Sequence, residues 1–204
     1  MKKVFLAAVA LGVISFSSCD TAQNNTNEGA NTTETGTVSD ETDPVDRAED
    51  VNENNLPGSA ENMADFMMEA ANSNMAEIAL GKMAAEKATD PEVKQFGQMM
   101  ATDHGKASEE MKALAASKNV TLPTGVSEDM QKKQTDLARL TGAEFDKEYI
   151  NLMVDAHEKD VEKFKEASEN LNDAETKAFA AKTLPVLQAH LDQVKKIDQR
   201  LENK

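Results

Sequence analysis

The chain has 204 residues, with 37 acidic and 22 basic side chains and a formal net charge of −15 at pH 7. This acidic balance argues against nucleic acid as a partner and against electrostatic attachment to anionic lipid. The sequence contains a single cysteine, Cys19, so an intramolecular disulfide is excluded.

The N-terminus has the order of a bacterial secretory signal, in which basic, apolar and small residues follow one another. Two lysines precede an apolar stretch at residues 4–14, which is too short to span a bilayer as a helix. Ser17 and Ser18 then precede Cys19, and this arrangement resembles the lipobox of bacterial lipoproteins, although Phe16 stands where that pattern usually has leucine. The resemblance implies a signal peptide at residues 1–18, cleavage before Cys19 and acylation of Cys19. The alternative is an ordinary secreted protein with an unmodified cysteine.

The next segment, residues 19–58, has the composition of a flexible tether. It is rich in Asn, Thr, Asp and Glu, and its few aliphatic residues are scattered without a period. Such a segment cannot bury enough apolar surface to offset the entropy of ordering it, so we expect it to be disordered. It would hold the following domain away from the membrane, in the bacterial envelope and facing the periplasm.

Residues 59–204 form the predicted folded domain, and their composition favours helices. Ala, Met, Glu, Lys, Gln and Leu dominate, and no alternating strand pattern competes with them. Turn and capping residues divide the domain into four long helices and a short one between the second and third long helices. The expected N-caps are Ser59, Asp90 (followed by Pro91), Ser127, Thr141 and Asp173.

Apolar residues recur at intervals of three and four in each long helix, which predicts an all-α, ferritin-like four-helix bundle. The connection between the second and third long helices spans roughly 23 residues, so it is long enough to cross the whole bundle. The sequence leaves open whether the helices run up-down-up-down or with such a crossover.

The histidines carry the main functional signal, because each projects into the apolar stripe of its own helix. One acidic residue does the same in the first long helix, and all four positions lie within about 5 Å of their helix midpoints. One carboxylate and three imidazoles in a buried layer suit a transition metal ion such as Fe, Mn, Zn or Cu. The predicted ligands are Glu77, His104, His157 and His190, with Asp103 and Asp160 in the surrounding shell.

A structural role for the same layer is the main alternative. Buried histidines commonly hydrogen-bond to a neighbouring carboxylate or carbonyl, and such a polar layer can fix helix register without binding metal. Met100 and Met153 each precede a histidine by four residues, which would suit copper, but methionine is also ordinary core filler.

The helical region resembles a bacterial family known as domain of unknown function 4142, which is grouped with the ferritin-like bundles. The resemblance rests on residues 66–87 (FMMEAANSNMAEIALGKMAAEK), 93–104 (VKQFGQMMATDH), 145–164 (FDKEYINLMVDAHEKDVEKF) and 184–190 (LPVLQAH). It implies a ferritin-like fold in the cell envelope and supplies no activity, so no catalytic residue is assigned.

The histidines depart from the Glu-x-x-His pattern of di-iron ferritin-like proteins. Ala101 and Leu187 stand three residues before His104 and His190, and His157 has Asp160 three residues after it. A single metal ion, or none, therefore fits better than a di-iron centre.

Three functions remain in order of preference: a lipid-anchored envelope protein that binds a transition metal, a non-catalytic structural or protein-interaction bundle, and a metal-dependent redox enzyme. The enzyme ranks last because no activated nucleophile, phosphate-binding glycine loop or dinucleotide fingerprint is present. The sequence does not decide which membrane holds the anchor, which protein is the partner, or whether the bundle forms homo-oligomers.

We expect Cys19→Ser to release the protein into the non-membrane envelope fraction. The bundle should stay folded, because Cys19 precedes the predicted domain by roughly forty residues. Fractionation followed by immunoblotting, with circular dichroism of the released protein, measures both effects. Membrane retention of the variant would contradict the lipoprotein interpretation.

Overall fold

The computed structural model describes residues 42–203. Within that range the chain forms six α-helices, a short 3₁₀ turn at Gly58–Ala60, and no strand. Four helices of 27 to 29 residues build a bundle, which confirms the predicted fold class. The helices are α1 (Pro44–Asn55), α2 (Glu61–Lys87), α3 (Pro91–Lys118), α4 (Glu128–Arg139), α5 (Gly142–Asn170) and α6 (Ala174–Glu202).

Helix α1 lies inside the segment predicted to be disordered, so that prediction is wrong for its C-terminal part. The Asp43 carboxylate caps the helix by accepting from the Val45 amide at 2.8 Å. Asn52 is buried and exchanges two hydrogen bonds with the Thr121 backbone, at 2.8 and 2.9 Å. The prediction considered apolar surface alone, whereas these polar contacts hold α1 to the bundle. The signal peptide, Cys19 and the first part of the tether lie outside the described residues.

The predicted N-caps are correct in position for four helices, but only two of the four make the expected side-chain bond. Asp90 accepts from the Glu92 and Val93 amides, and Asp173 accepts from the Thr176 amide. Ser127 and Thr141 occupy the N-cap positions without a side-chain cap hydrogen bond. Ser59 lies in the 3₁₀ turn instead, and α2 begins two residues later.

Two apolar clusters, one at each end of the bundle, show how the helices are connected. The start of α2, the end of α3, the end of α5 and the start of α6 meet in the first cluster, and the opposite ends meet in the second. Therefore α2 and α6 run in one direction, and α3 and α5 run in the other. The first cluster includes Met63, Phe66, Met67, Met111, Phe164, Phe179 and Leu187; the second includes Leu80, Val93, Phe96, Met100, Phe145, Tyr149, Met153 and Val194.

This arrangement requires the chain to cross the full length of the bundle between α3 and α5, and α4 lies within that crossover. Helix α4 packs against α2 and α5 and contributes Leu137 to the second cluster. The topology left open by the sequence is thus the ferritin-like crossover. Each of α2 and α6 contacts both α3 and α5, so the four long helices enclose one central axis.

Polar contacts hold the turn between α2 and α3 against the start of α5 and the end of α6. The buried Asp146 carboxylate accepts from the Thr89 and Asp90 amides at 3.0 and 2.8 Å. The Arg200 guanidinium makes a bidentate contact with the Asp90 carboxylate at 2.7 and 2.8 Å. These contacts fix the end of the bundle at which the second cluster lies.

Gly81 and Gly97 allow α2 and α3 to approach each other at backbone contact distance. A Cβ atom on Gly81 would lie 2.8 Å from the Gly97 carbonyl oxygen, and a Cβ on Gly97 would lie 2.7 Å from the Gly81 carbonyl oxygen. Neither distance is compatible with a side chain, because the obstructing atoms belong to the backbone. The contact lies one helical turn from Glu77 and two turns from His104.

We expect Gly97→Ala to destabilise the bundle by about 1–3 kcal/mol, because the new methyl group must push α2 and α3 apart. Gly105→Ala is the matched control in the same helix: a Cβ there meets nothing within 4 Å. That change should stabilise the helix by roughly 0.5–1 kcal/mol, since alanine is the better helix former. Urea unfolding of both variants measures the difference, and equal stabilities would contradict the close helix contact.

Candidate metal centre

The structure brings the four predicted ligand residues together in one layer between the two apolar clusters. Glu77 comes from α2, His104 from α3, His157 from α5 and His190 from α6, and each side chain is buried. The three imidazole rings lie 5.5 to 5.6 Å apart between centroids. Each ring therefore faces the other two across the bundle axis.

His104 is held by Asn74, which lies on the facing surface of α2. The Asn74 side chain donates from Nδ2 to the His104 backbone carbonyl at 2.9 Å, and this bond orients its amide. The amide oxygen then lies 2.7 Å from His104 Nδ1. Because that oxygen only accepts, the neutral ring carries its proton on Nδ1 and leaves a lone pair on Nε2.

The other two rings are oriented in the same manner by different acceptors. His157 Nδ1 lies 2.9 Å from the Met153 backbone carbonyl, one turn earlier in α5. His190 Nε2 lies 3.4 Å from the Asp103 carboxylate on α3. His157 therefore has its free lone pair on Nε2, and His190 has its free lone pair on Nδ1.

One buried nitrogen of each histidine consequently has no hydrogen-bond partner among residues 42–203, namely His104 Nε2, His157 Nε2 and His190 Nδ1. One ring nitrogen of each histidine lies within 4.8 Å of one ring nitrogen of each other histidine. A tetrahedral ion with bonds of about 2.0–2.1 Å needs ligand nitrogens roughly 3.3 Å apart. Three neutral imidazoles, each oriented through its other nitrogen, fit such an ion after a modest inward rotation of the rings.

Burial keeps the three rings uncharged at neutral pH. The His104 pKa is well below its ordinary value, first because of desolvation and then because of the neighbouring His157 and His190. Burial likewise lowers the pKa of His157 to about 4. It also lowers the pKa of His190, against the opposing effect of the Asp103 carboxylate. At pH 7 each ring is therefore neutral, and one of its two nitrogens keeps a lone pair that can bind a ligand.

Glu77 lies against His104 and His157, and its role as a metal ligand stays a prediction. Its oxygen atoms lie 3.1 Å from His104 Nδ1 and 3.3 Å from His157 Nδ1, which are the nitrogens on the far side of each ring from the free lone pair. Helical projection showed correctly that Glu77 points inward, but it could not show which side of the imidazoles it meets. In the structure Glu77 contacts the nitrogens of His104 and His157 that also make the outward hydrogen bonds.

The two acids predicted for the surrounding shell separate into different roles. Asp103 orients His190 and is itself paired with the exposed Lys106 at 3.1 Å. Asp160 accepts from the Ser73 hydroxyl at 3.0 and 3.1 Å and interacts electrostatically with Glu77. Burial, followed by the charge of Asp160, raises the pKa of Glu77 well above its ordinary value.

The sequence reasoning missed two contributions to the layer. Asn74 lies three residues before Glu77, so its position on the inner face was a usable signal. The Met153 backbone carbonyl carries no such signal, because any residue supplies one. Met100 and Met153 themselves pack in the second apolar cluster.

A cavity of about 90 Å³ adjoins the layer on the side of the first apolar cluster. His104, His190, Glu77 and Asp160 border its polar end. Its remaining walls are largely apolar and include Met111, Phe164, Phe179 and Leu187.

Comparison with known proteins assigns the family. Residues 49–197 match the family described as "Domain of unknown function (DUF4142)". The chain belongs to this family. No curated protein matches the DUF4142 chain.

Solved structures with the same fold include three bacterial proteins. A DUF305 fragment from Deinococcus radiodurans aligns with a TM-score of 0.62 at 11% identity, covering 71% of this chain and 99% of the other. A DUF305 protein from Streptomyces coelicolor, named as secreted, aligns with a TM-score of 0.59 at 12% identity, covering 71% of this chain and 92% of the other. A conserved hypothetical protein from Mycobacterium tuberculosis aligns with a TM-score of 0.52 at 17% identity, covering 70% of this chain and 99% of the other. These likenesses concern the fold alone.

We expect the three histidines of the metal-free protein to be neutral at pH 7 and to differ in tautomer. His104 and His157 should carry the proton on Nδ1, and His190 should carry it on Nε2, because of their respective acceptors. Long-range ¹H–¹⁵N correlation spectra distinguish these forms. Three identical tautomers, or rings protonated at both nitrogens, would contradict the orientation described above.

Proposed function

We propose that this protein is a lipid-anchored envelope protein that binds one first-row transition metal ion through His104, His157 and His190. The observation that carries the proposal is a cluster of three buried imidazoles whose ring nitrogens lie within 4.8 Å of one another, each ring having one nitrogen without a hydrogen-bond partner among the described residues. Buried polar atoms normally have partners, so three unpartnered acceptors in one layer call for a cationic or donor species there.

The alternative of a purely hydrogen-bonded polar layer accounts less well for this arrangement. Such a layer needs donors for its acceptors, yet one nitrogen of each of the three rings has no donor among the described residues. A single water molecule donates two hydrogen bonds, so it would still leave one of the three nitrogens without a donor.

The ligand set narrows the choice of metal. Imidazole nitrogens suit zinc, copper, iron and nickel, whereas manganese favours carboxylate and water oxygens. Because Glu77 lies on the far side of His104 and His157, the remaining set is three nitrogens without a carboxylate. We therefore favour zinc or copper among the candidate ions, with iron next.

The envelope location rests on the N-terminal sequence. Cys19 follows a lipoprotein-like signal, and acyl chains on one cysteine supply a stable membrane anchor. No helix within residues 42–203 is long and apolar enough to cross a membrane. The secreted name of the DUF305 protein from Streptomyces coelicolor agrees with an extracytoplasmic domain.

The test is metal content and affinity of the full chain, purified in detergent and dialysed against an equimolar mixture of Mn²⁺, Fe²⁺, Cu²⁺ and Zn²⁺. We expect one ion per chain, and we expect His104→Ala to lose it because only two imidazoles remain. Asn74→Leu keeps all three ligands but frees the His104 ring, so the affinity should fall by roughly 10–100-fold.

Glu158→Ala is the matched control, because this exposed residue follows His157 directly and pairs with Lys195 at the surface. It should bind metal as the wild type does. If the wild-type chain binds no metal and its melting temperature is unchanged by micromolar metal, the metal site is refuted and the layer has a structural role.

A further inference from the structure

The cavity beside the histidine layer, here called the histidine cavity, is positioned to admit a second molecule to the metal. His104 and His190 border it directly, together with Glu77 and Asp160. The exposed residues Lys112 and Val186 also border it, so it extends from the buried layer to the protein surface. Three protein ligands on a tetrahedral ion leave one coordination position for an exogenous group.

We propose that the histidine cavity binds a small uncharged molecule whose single lone-pair donor takes the open position on the metal ion. This inference rests on the proposed function, since the ion must be present for the donor to bind it. The apolar part of the molecule would lie against Phe164, Phe179 and Leu187, which form the walls beyond the polar end.

The cavity volume limits the part of the molecule that lies inside the cavity. A dry apolar cavity of about 150 Å³ accommodates benzene, which has six heavy atoms. The histidine cavity has about 90 Å³. A group of roughly three to five heavy atoms therefore fits inside it without displacing the walls.

The apolar walls of the cavity favour a neutral donor over an anion. Three acidic residues, Glu77, Asp103 and Asp160, and the basic Lys112 border the cavity, so charge alone does not select the donor. An anion would have to leave water for a largely apolar cavity, whereas an uncharged nitrogen or sulfur donor has a smaller desolvation cost. The apolar walls add a hydrophobic contribution that a small anion does not obtain.

The experiment uses the full chain loaded with Co²⁺, whose visible absorption reports changes in coordination. Pyrazole, which is uncharged and has five heavy atoms, should change the spectrum in a saturable manner. 3,5-Di-tert-butylpyrazole, which is too large for the cavity, should have no effect at the same concentration. Azide should require at least tenfold more ligand than pyrazole for a half-maximal change. An effect of azide equal to or stronger than that of pyrazole would overturn the preference for a neutral molecule.

A variant pair tests the cavity itself. Ala107 lines the cavity one turn after His104, so Ala107→Leu should fill it and weaken pyrazole binding at least tenfold while Co²⁺ affinity is kept. Ala116→Leu makes the same change at an exposed position of α3 and should behave as the wild type. Failure to bind Co²⁺ or any ion of the metal mixture would refute the proposed function. Co²⁺ binding without a pyrazole response, or an unaffected Ala107→Leu variant, would refute this inference alone.

Discussion

The backbone contact between Gly81 and Gly97 is the constraint on which the histidine layer depends. It holds α2 and α3 closer together than side chains would permit. Two turns away, the short side chain of Asn74 can therefore reach both the ring and the backbone carbonyl of His104. A wider helix separation would place water or a longer side chain between them, and the His104 tautomer would no longer be determined. The spacing of two helices thus controls which nitrogen faces the bundle axis.

The layer of Glu77 and the three histidines lowers the stability of the folded bundle, and the bundle tolerates this loss because of where the layer lies. Each buried polar group without a partner costs about 1–3 kcal/mol, and Glu77 adds a carboxyl group whose pKa is raised by burial. Apolar clusters at both ends of the bundle flank the layer and supply the compensating burial. A sequence selected for stability alone would fill the same positions with Leu or Met. Residues that weaken the core while facing one another are typical of functional sites.

Periodicity and position along each helix were sufficient to predict that Glu77 and the three histidines share a layer. Those two quantities depend only on helix geometry, which the sequence determines locally. The hydrogen-bond partners were not predictable in the same manner, because Asp103 reaches His190 across a contact between α3 and α6. The crossover was also undetermined, since a long connection permits either topology. Helix α1 was missed because its attachment depends on Asn52 and on a backbone segment 69 residues later.

The distribution of donors and acceptors gives the layer its chemical selectivity. The histidine N–H groups point outward, toward Asn74, the Met153 carbonyl and Asp103, so donors are directed away from the axis. The other nitrogen of each ring has no hydrogen-bond partner among the described residues, and burial lowers the pKa of each ring so that protons do not occupy these nitrogens at neutral pH. An ordinary hydrogen-bonded core pairs each acceptor with a donor. Three buried lone pairs without donors in one layer are instead complementary to a cation.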